Sequence, residues 1–389
     1  MAESLLNHFR VIEYAQNLSG MHCGMMLAEM GAEVIKVEIP EDPDDLSRQD
    51  GPIVNGMSAT FAAVNCNKKS AALDIRTAEG YALMKRLIES ADAFIITKRM
   101  KDMEILGLDY ETVHRWNPKL IYGSVTCFGQ YGPLSNLKGG DLVAQAAAGT
   151  MSITGMPENP PTRVGFPVAE MHAGINLCTG ILASLYKVRQ GGEGQLVDVS
   201  LTDTVVSEMR INTGMYVYNQ RVGKRGHTVV GSGEEGGPEY PSARAIYKTK
   251  DGWIVYSANS PKLFACAAEA MGMGDILERD DFKEEAEQTT LCDAINRRFA
   301  EWAKDHDTRE IFDLVSKAGA PAAPVLDYQG ILEDENLNTY RHMFTVVEDP
   351  VIGTFKVTNL PVKWNRCQPE IHTAGPVQGQ HTDEVLESV

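Results

Sequence analysis

Three short segments near the start of the chain restrict its fold more than any others. Phe9 to Ala15 is rich in apolar and β-forming residues, Met21 to Met30 has a helical pattern that Gly31 closes, and Glu33 to Glu38 reads as a second strand. Strand, helix and strand in that order open a βαβ unit, which sets parallel strands side by side. The alternation continues with a strand at 71–75, a helix at 78–89, and strands at 93–96 and 120–125. A Rossmann-like α/β large domain is therefore expected, its parallel sheet flanked by helices.

Between these strands, Pro52 to Asn65 is poorly periodic and reads as an active-site loop, with Met57 and Phe61 as candidate apolar lining. From Gly174 to Arg189 the residues Ile175, Cys178, Ile181, Leu182, Leu185 and Val188 recur at spacings of three and four, the mark of a helix with one buried face. Leu196 to Leu201 follows as a short strand, and Asp203 opens another helix towards Tyr218. Gly223 to Pro241 is rich in glycine and charge, a hinge or linker. Beyond it, 243–249 and 253–258 alternate across Lys250-Asp251-Gly252, a hairpin signal. Helices from Pro261, Leu291 and Thr308 complete a smaller α+β domain.

The chain has 389 residues, enough for two domains. Its formal charge of −17 and pI near 5.0 argue against nucleic-acid or anionic-membrane partners, which need a basic surface. The N-terminal residues lack the basic-then-apolar order of a secretory signal, so a cytoplasmic location is expected. The seven cysteines include no CxxC pair and mostly sit among apolar residues; they read as reduced core residues, not as a zinc site. Asn17-Leu18-Ser19-Gly20 follows the first strand where a dinucleotide-binding protein carries GxGxxG, which argues against NAD.

Seven motifs in order carry a resemblance over nearly the whole chain. They are GMHCGMMLAEMGAEVIKVEIP (Gly20 to Pro40), NCNKKSAALDIRTAEG (Asn65 to Gly80), LGLDYETVHRWNPKLIYGSVTCFGQYGP (Leu106 to Pro133), GDLVAQAAAG (Gly140 to Gly149), GGEGQLVDVSLTD (Gly191 to Asp203), APVLDYQGILEDENL (Ala323 to Leu337) and GQHTDEVL (Gly379 to Leu386). Together they resemble the class III CoA-transferases, a family that includes formyl-CoA, carnitine, bile-acid and aryl-lactate CoA-transferases. The resemblance implies an interlocked, ring-like homodimer and a chain that leaves its small domain near Pro324. The expected organisation is a large CoA-binding domain in 1–222, a small domain with its hinge in 223–323, and a return to the large domain in 324–389. The implied reaction moves CoA from an acyl-CoA to a small carboxylic acid, with CoA thioester as substrate and no permanently bound cofactor or metal.

The resemblance assigns CoA contacts to Asn17, Leu18, Leu73, Arg76, Thr97, Lys98, Arg99 and Lys138. An acidic chain must gather such cations locally to hold a 3′-phosphate and a diphosphate. Two departures from the family are Glu38-Ile39-Pro40, where relatives carry an Arg after the acid, and Ile105 before the LGL motif. The nucleophile position falls on Glu170, in Ala169-Glu170-Met171-His172-Ala173-Gly174, where the family usually has Asp. Just outside the start of the 174–189 helix, its charged form is expected to be favoured. A carboxylate held against a thioester displaces CoA to form an anhydride, which then yields a glutamyl-CoA thioester. Three readings of Glu170 stay open: nucleophile, weakened relic, or helix-capping acid.

Asp141 reads as a supporting acid that caps its own helix, with steering of Lys138 or the substrate as the further reading. Gly231 and Gly233 are candidate backbone donors or lid residues, with a plain linker as the alternative. The same fold hosts α-methylacyl-CoA racemases, whose His in the equivalent GHD triplet is replaced here by Gly140. A racemase and a non-catalytic CoA-binding homologue remain the alternatives to a transferase.

Overall fold

The computed structural model describes residues 4–43, 45–220, 222–223, 225, 243–258, 261–278 and 297–389. The chain forms two compact units, Met1–Thr213 with Glu335–Val389, and Gly214–Asp334. The division falls at 213/214 and 334/335, against the 222/223 and 323/324 read from the sequence.

The first unit begins with β1 (Arg10–Tyr14), α1 (Leu18–Glu29) and β2 (Glu33–Glu38), then β3 (Ile53–Val54), β4 (Met57–Ser58) and α2 (Ala59–Val64). It continues with β5 (Lys69–Ala72), α3 (Ala78–Glu89), β6 (Ala93–Ile96), α4 (Met100–Ile105), α5 (Tyr110–Trp116) and β7 (Ile121–Thr126). Next come α6 (Asp141–Ala147), α7 (Val168–Arg189), β8 (Leu196–Ser200) and α8 (Leu201–Glu208). Six strands pair in parallel in the order β5-β2-β1-β6-β7-β8, as the alternation of strand and helix predicts. The order reverses between β1 and β6, whose last residues, Tyr14 and Ile96, are register partners. Ligands of open parallel sheets collect outside the strand ends at such a switch point.

Alternation along each strand feeds two apolar layers. Val11, Val34, Ile95 and Ile121 pack with Leu27 of α1 and with Leu177 and Ile181 of α7. Ile12, Ile35, Phe94 and Tyr122 pack on the other side with Leu87 of α3 and Val113 of α5. By length and composition α7 could cross a membrane; one face of it, with Leu177 and Ile181, packs in the first apolar layer. A Cβ at Gly174 would lie 2.7 Å from the Ser19 carbonyl, so only glycine lets α7 come this close to α1.

Besides β5, which runs Lys69–Ala72 where 71–75 was expected, the observed elements differ from the sequence reading in four places. Residues 52–65 are structured: Asn55 (φ 50°) and Gly56 (φ 85°) turn the β3–β4 hairpin, and Ser58 caps α2 by accepting from the Phe61 N–H at 3.0 Å. The Asn-Gly pair is a hairpin signal that the periodicity reading passed over. Helix α1 starts at Leu18, three residues earlier than expected, and α7 starts at Val168, six earlier. The helix expected from Asp203 is capped by Ser200 and breaks at Met209, leaving α8 and α9 (Arg210–Asn219). The start expected at Leu291 lies outside the described residues.

In the second unit, β9 (Ala243–Lys248) and β10 (Trp253–Ala258) form the expected hairpin, with β11 (Ala322–Pro324) pairing against β10. Tyr247, Tyr256, Phe264 and Phe299 build its core. The returning segment contributes a hairpin, β12 (Phe344–Asp349) and β13 (Gly353–Thr358), and the helix Thr382–Glu387 to the first unit. The Ala72 N–H donates to Thr382 Oγ1 at 3.0 Å and the Gly379 N–H to Ser70 Oγ at 2.9 Å, so the GQHTDEVL stretch covers the exposed edge of β5.

Candidate active site

The switch point sets the site. From the end of β1, the Gln16 N–H donates to Thr97 Oγ1 beyond β6 at 3.0 Å, and Lys98 Nζ donates to Gln16 Oε1 at 2.8 Å. Beside this junction is a cavity of about 420 Å³, whose walls include Gln16, Asn17, Leu18, Phe61, Gly140 and Glu170. Asn17 is the extended residue before α1, so the first N–H groups of that helix open onto this space.

Glu170 is the third residue of α7 and not, as the sequence suggested, a residue outside its helix. The expectation that its charge is favoured is also overturned. Burial, then the nearby Asp141 carboxylate and more weakly that of Asp50, push its pKa above the ordinary glutamate value. The backbone N–H groups of Asp141 and Leu18 pull in the opposite direction. The carboxylate thus faces the starts of two helices, α6 and α1.

Asp141 does not cap its own helix. Its Oδ1 accepts from the Ala169 N–H at 2.8 Å and from the Glu170 N–H at 3.3 Å, capping α7 from 28 residues away. This distant partner lets α7 begin six residues before its apolar periodicity does. Each acid therefore serves the other's helix.

The structure brings Asn17, Leu18, Asp141 and Glu170 together, with Thr97 and Lys98 joined through Gln16. Leu73 is buried in the apolar layer under α3, and its N–H donates to the Glu38 carbonyl at 2.9 Å. Arg76 is exposed and paired with Asp74 at 2.7 Å. Arg99 pairs with Asp102 at 2.8 Å and donates to the Asn136 carbonyl at 2.7 Å, while Lys138 is exposed next to the Gly139 of the cavity wall. Leu73, Arg76, Arg99 and Lys138 do not line this cavity. Gly231 and Gly233 lie outside the described residues. His172 turns towards α8, its Nδ1 3.6 Å from Glu208.

Sequence reasoning missed part of the wall. Ser47 and Asp50 line the cavity unannounced, whereas Thr60 and Phe61 come from the 52–65 segment read as an active-site loop; Phe61 is held from behind by the Arg48 guanidinium, 3.8 Å from its ring centre. Arg48 is itself fixed by a bidentate pair with Glu38 at 2.7 and 2.8 Å. Beneath lies a buried ionic cluster in which Lys68 donates to Glu13 at 2.8 Å, to Asn65 Oδ1 at 2.8 Å and to the Met21 carbonyl at 2.7 Å. Lys36 also reaches Glu13, at 3.4 Å. Burial lowers the Lys68 pKa to about 8.

Residues 6–382 match the family described as CoA-transferase family III. The chain is 30% identical to the succinyl-CoA–D-citramalate CoA-transferase of Chloroflexus aurantiacus, over 98% of this chain and 93% of that protein. It is also 30% identical to the succinate–glutarate CoA-transferase of Agrobacterium fabrum, over 98% and 94%. Among solved structures, a CAIB/BAIF family protein from Brucella suis superposes with a TM-score of 0.85 at 26% identity, over 99% of both chains. The chain thus belongs to the class III CoA-transferases and is an enzyme that transfers coenzyme A.

Proposed function

We propose that the chain moves CoA from an acyl-CoA to a free carboxylic acid with Glu170 as the nucleophile. The observation that carries this reading is the Glu170 carboxylate in the switch-point cavity, facing the Leu18 and Asp141 N–H groups. Glu170 attacks the thioester carbonyl, the C–S bond breaks, and CoA thiolate leaves a mixed anhydride. The thiolate then attacks the Glu170 carbonyl carbon and expels the donor acid as its carboxylate, giving glutamyl-CoA. The acceptor carboxylate attacks that thioester, forming a second anhydride and freeing the thiolate again. Thiolate attack on the acceptor's carbonyl releases the new acyl-CoA and restores Glu170. Each tetrahedral oxyanion on the Glu170 carbon would meet the two N–H groups that already face the carboxylate.

We assign the CoA phosphates to Lys98, Arg99, Lys138 and Arg76, cations outside the cavity lining, with Arg76 and Arg99 exchanging their Asp74 and Asp102 partners for phosphate. The names of the relatives favour a succinyl-type donor and a short-chain acceptor acid. A racemase needs a second base facing the α-carbon, and Gly140, whose added Cβ would lie 3.5 Å from Glu170 Oε1, supplies none. An interlocked homodimer accords with Leu142, Val143, Ile175 and Tyr186, which α6 and α7 leave exposed. A cytoplasmic setting accords with the free thiols at Cys23, Cys66, Cys127 and Cys178.

The test is exchange: purified enzyme with succinyl-CoA or acetyl-CoA and a panel of carboxylic acids, followed by mass spectrometry of the acyl-CoA products. The reading expects a new acyl-CoA from wild type and none from Glu170→Ala. CoA binding without exchange across the panel would refute it.

A further inference from the structure

We infer that Gln145 is a positioning residue for the nucleophile, acting through Asp141; the inference rests on the reading of Glu170 given above. Gln145 is completely buried in α6, and a buried amide must be matched at both ends. Its Nε2 donates to Asp141 Oδ2 at 2.6 Å, and its Oε1 accepts from the Val164 N–H at 2.9 Å. With Oδ2 fixed by Gln145, Asp141 Oδ1 is aimed at the Ala169 and Glu170 N–H groups. Gln145 therefore holds the Val164 end of this turn directly and the Ala169–Glu170 end through Asp141.

A pair four residues apart on one helix is ordinarily a surface contact that helps the helix alone. This pair differs, because each partner spends its remaining hydrogen bonds on the α7 entry. A carboxylate that must attack a thioester carbonyl tolerates little displacement. Glu170 is one methylene longer than the aspartate usual at this position and has one more torsion to hold, so a fixed backbone beneath it matters more. Removing the Gln145 N–H frees the Asp141 carboxylate to rotate, and the Glu170 backbone then loses its defined partner. The phosphate contacts proposed above use none of these atoms.

The experiment compares wild type, Gln145→Leu, Gln145→Glu, the double variant Gln145→Glu/Asp141→Asn, and Glu170→Ala in the full-length protein. It reads kcat, KM for succinyl-CoA and thermal midpoint, with rates normalised to folded enzyme. Both single Gln145 variants are expected to lose about tenfold to a hundredfold in kcat with KM changed by less than about twofold. The isosteric Gln145→Glu keeps the Val164 contact and guards against a Gln145→Leu variant that fails to fold. In the double variant donor and acceptor trade places across the same gap, and it is expected to regain part of the rate lost in Gln145→Glu. The proposal fails if both single variants keep kcat within about twofold of wild type while Glu170→Ala is inactive. It fails equally if the rate falls only as far as the folded fraction falls. An active Glu170→Ala would instead overturn the nucleophile reading on which the proposal stands.

Discussion

At the scale of single residues, the site turns on two acids that serve each other's helices. As the proposed nucleophile Glu170 must attack in its ionised form, and its pKa is raised by burial first and then by Asp141. As pH falls, its charge is lost sooner than that of an ordinary glutamate, so the acid limb of kcat/KM should lie above the usual carboxylate range. Asp141→Asn removes the like charge, and the limb should move down in a pH–rate profile; an unmoved limb would show that the two acids are not coupled. Glu29 gives a second test, on stability. Burial raises its pKa from 4.5 to about 7, while the Leu360 N–H, bonded to Oε2 at 3.0 Å, opposes the shift. A raised folded-state pKa contributes stability that is complete below 4.5 and is lost as pH rises through about 7. Glu29→Gln can keep the Leu360 bond without the charge, so it should flatten that decline when urea unfolding is compared at about pH 5 and about pH 8. The sequence named Glu170, because a motif marks it, but not its environment. The acid that caps α7 is 28 residues away, and only the packing of α6 on α7 brings it there.

Among the elements, the strands and helices that build the sheet were legible because their signals are local. Periodicity marks β1, β2 and β6 directly, and Gly31 marks the end of α1. The early starts of α1 and α7 were not legible, since Asn17 makes no side-chain cap and Asp141 caps from afar. The 52–65 segment hid a hairpin in plain sight at Asn55-Gly56. The ionic cluster under α1 was equally hidden: no local pattern marks Glu13, Lys36 and Lys68, yet all are buried and joined in one network. Lys68 also holds the Met21 carbonyl in α1, so it ties that helix to the sheet beneath the cavity. Lys68→Met leaves Glu13 with the longer Lys36 contact alone and should cost about 3–5 kcal/mol in chemical denaturation. A loss below about 1 kcal/mol would mean that the cluster relaxes without it.

For the whole molecule, the resemblance supplied what no local pattern contains, namely that the chain returns to its first unit after an excursion. Residues 335–389 pack against 1–213, and the last helix closes the β5 edge. In the proposed dimer each chain forms a ring threaded through its partner. Such rings cannot part while folded, so dilution from micromolar to nanomolar concentration should leave the mass in light scattering or mass photometry at twice that of one chain. A monomer appearing on dilution would exclude interlocking.

If Glu170 is the nucleophile, its own carboxyl group becomes activated as the glutamyl-CoA thioester, and hydroxylamine captures that species at the Glu170 carbonyl carbon. The enzyme is mixed with succinyl-CoA, quenched with hydroxylamine and digested, and the peptide spanning Val168–Arg189 is sequenced by mass spectrometry. A hydroxamate on Glu170 that depends on the acyl-CoA is expected. An unmodified Glu170 in enzyme that is exchanging CoA, or a hydroxamate on another acid, would contradict it.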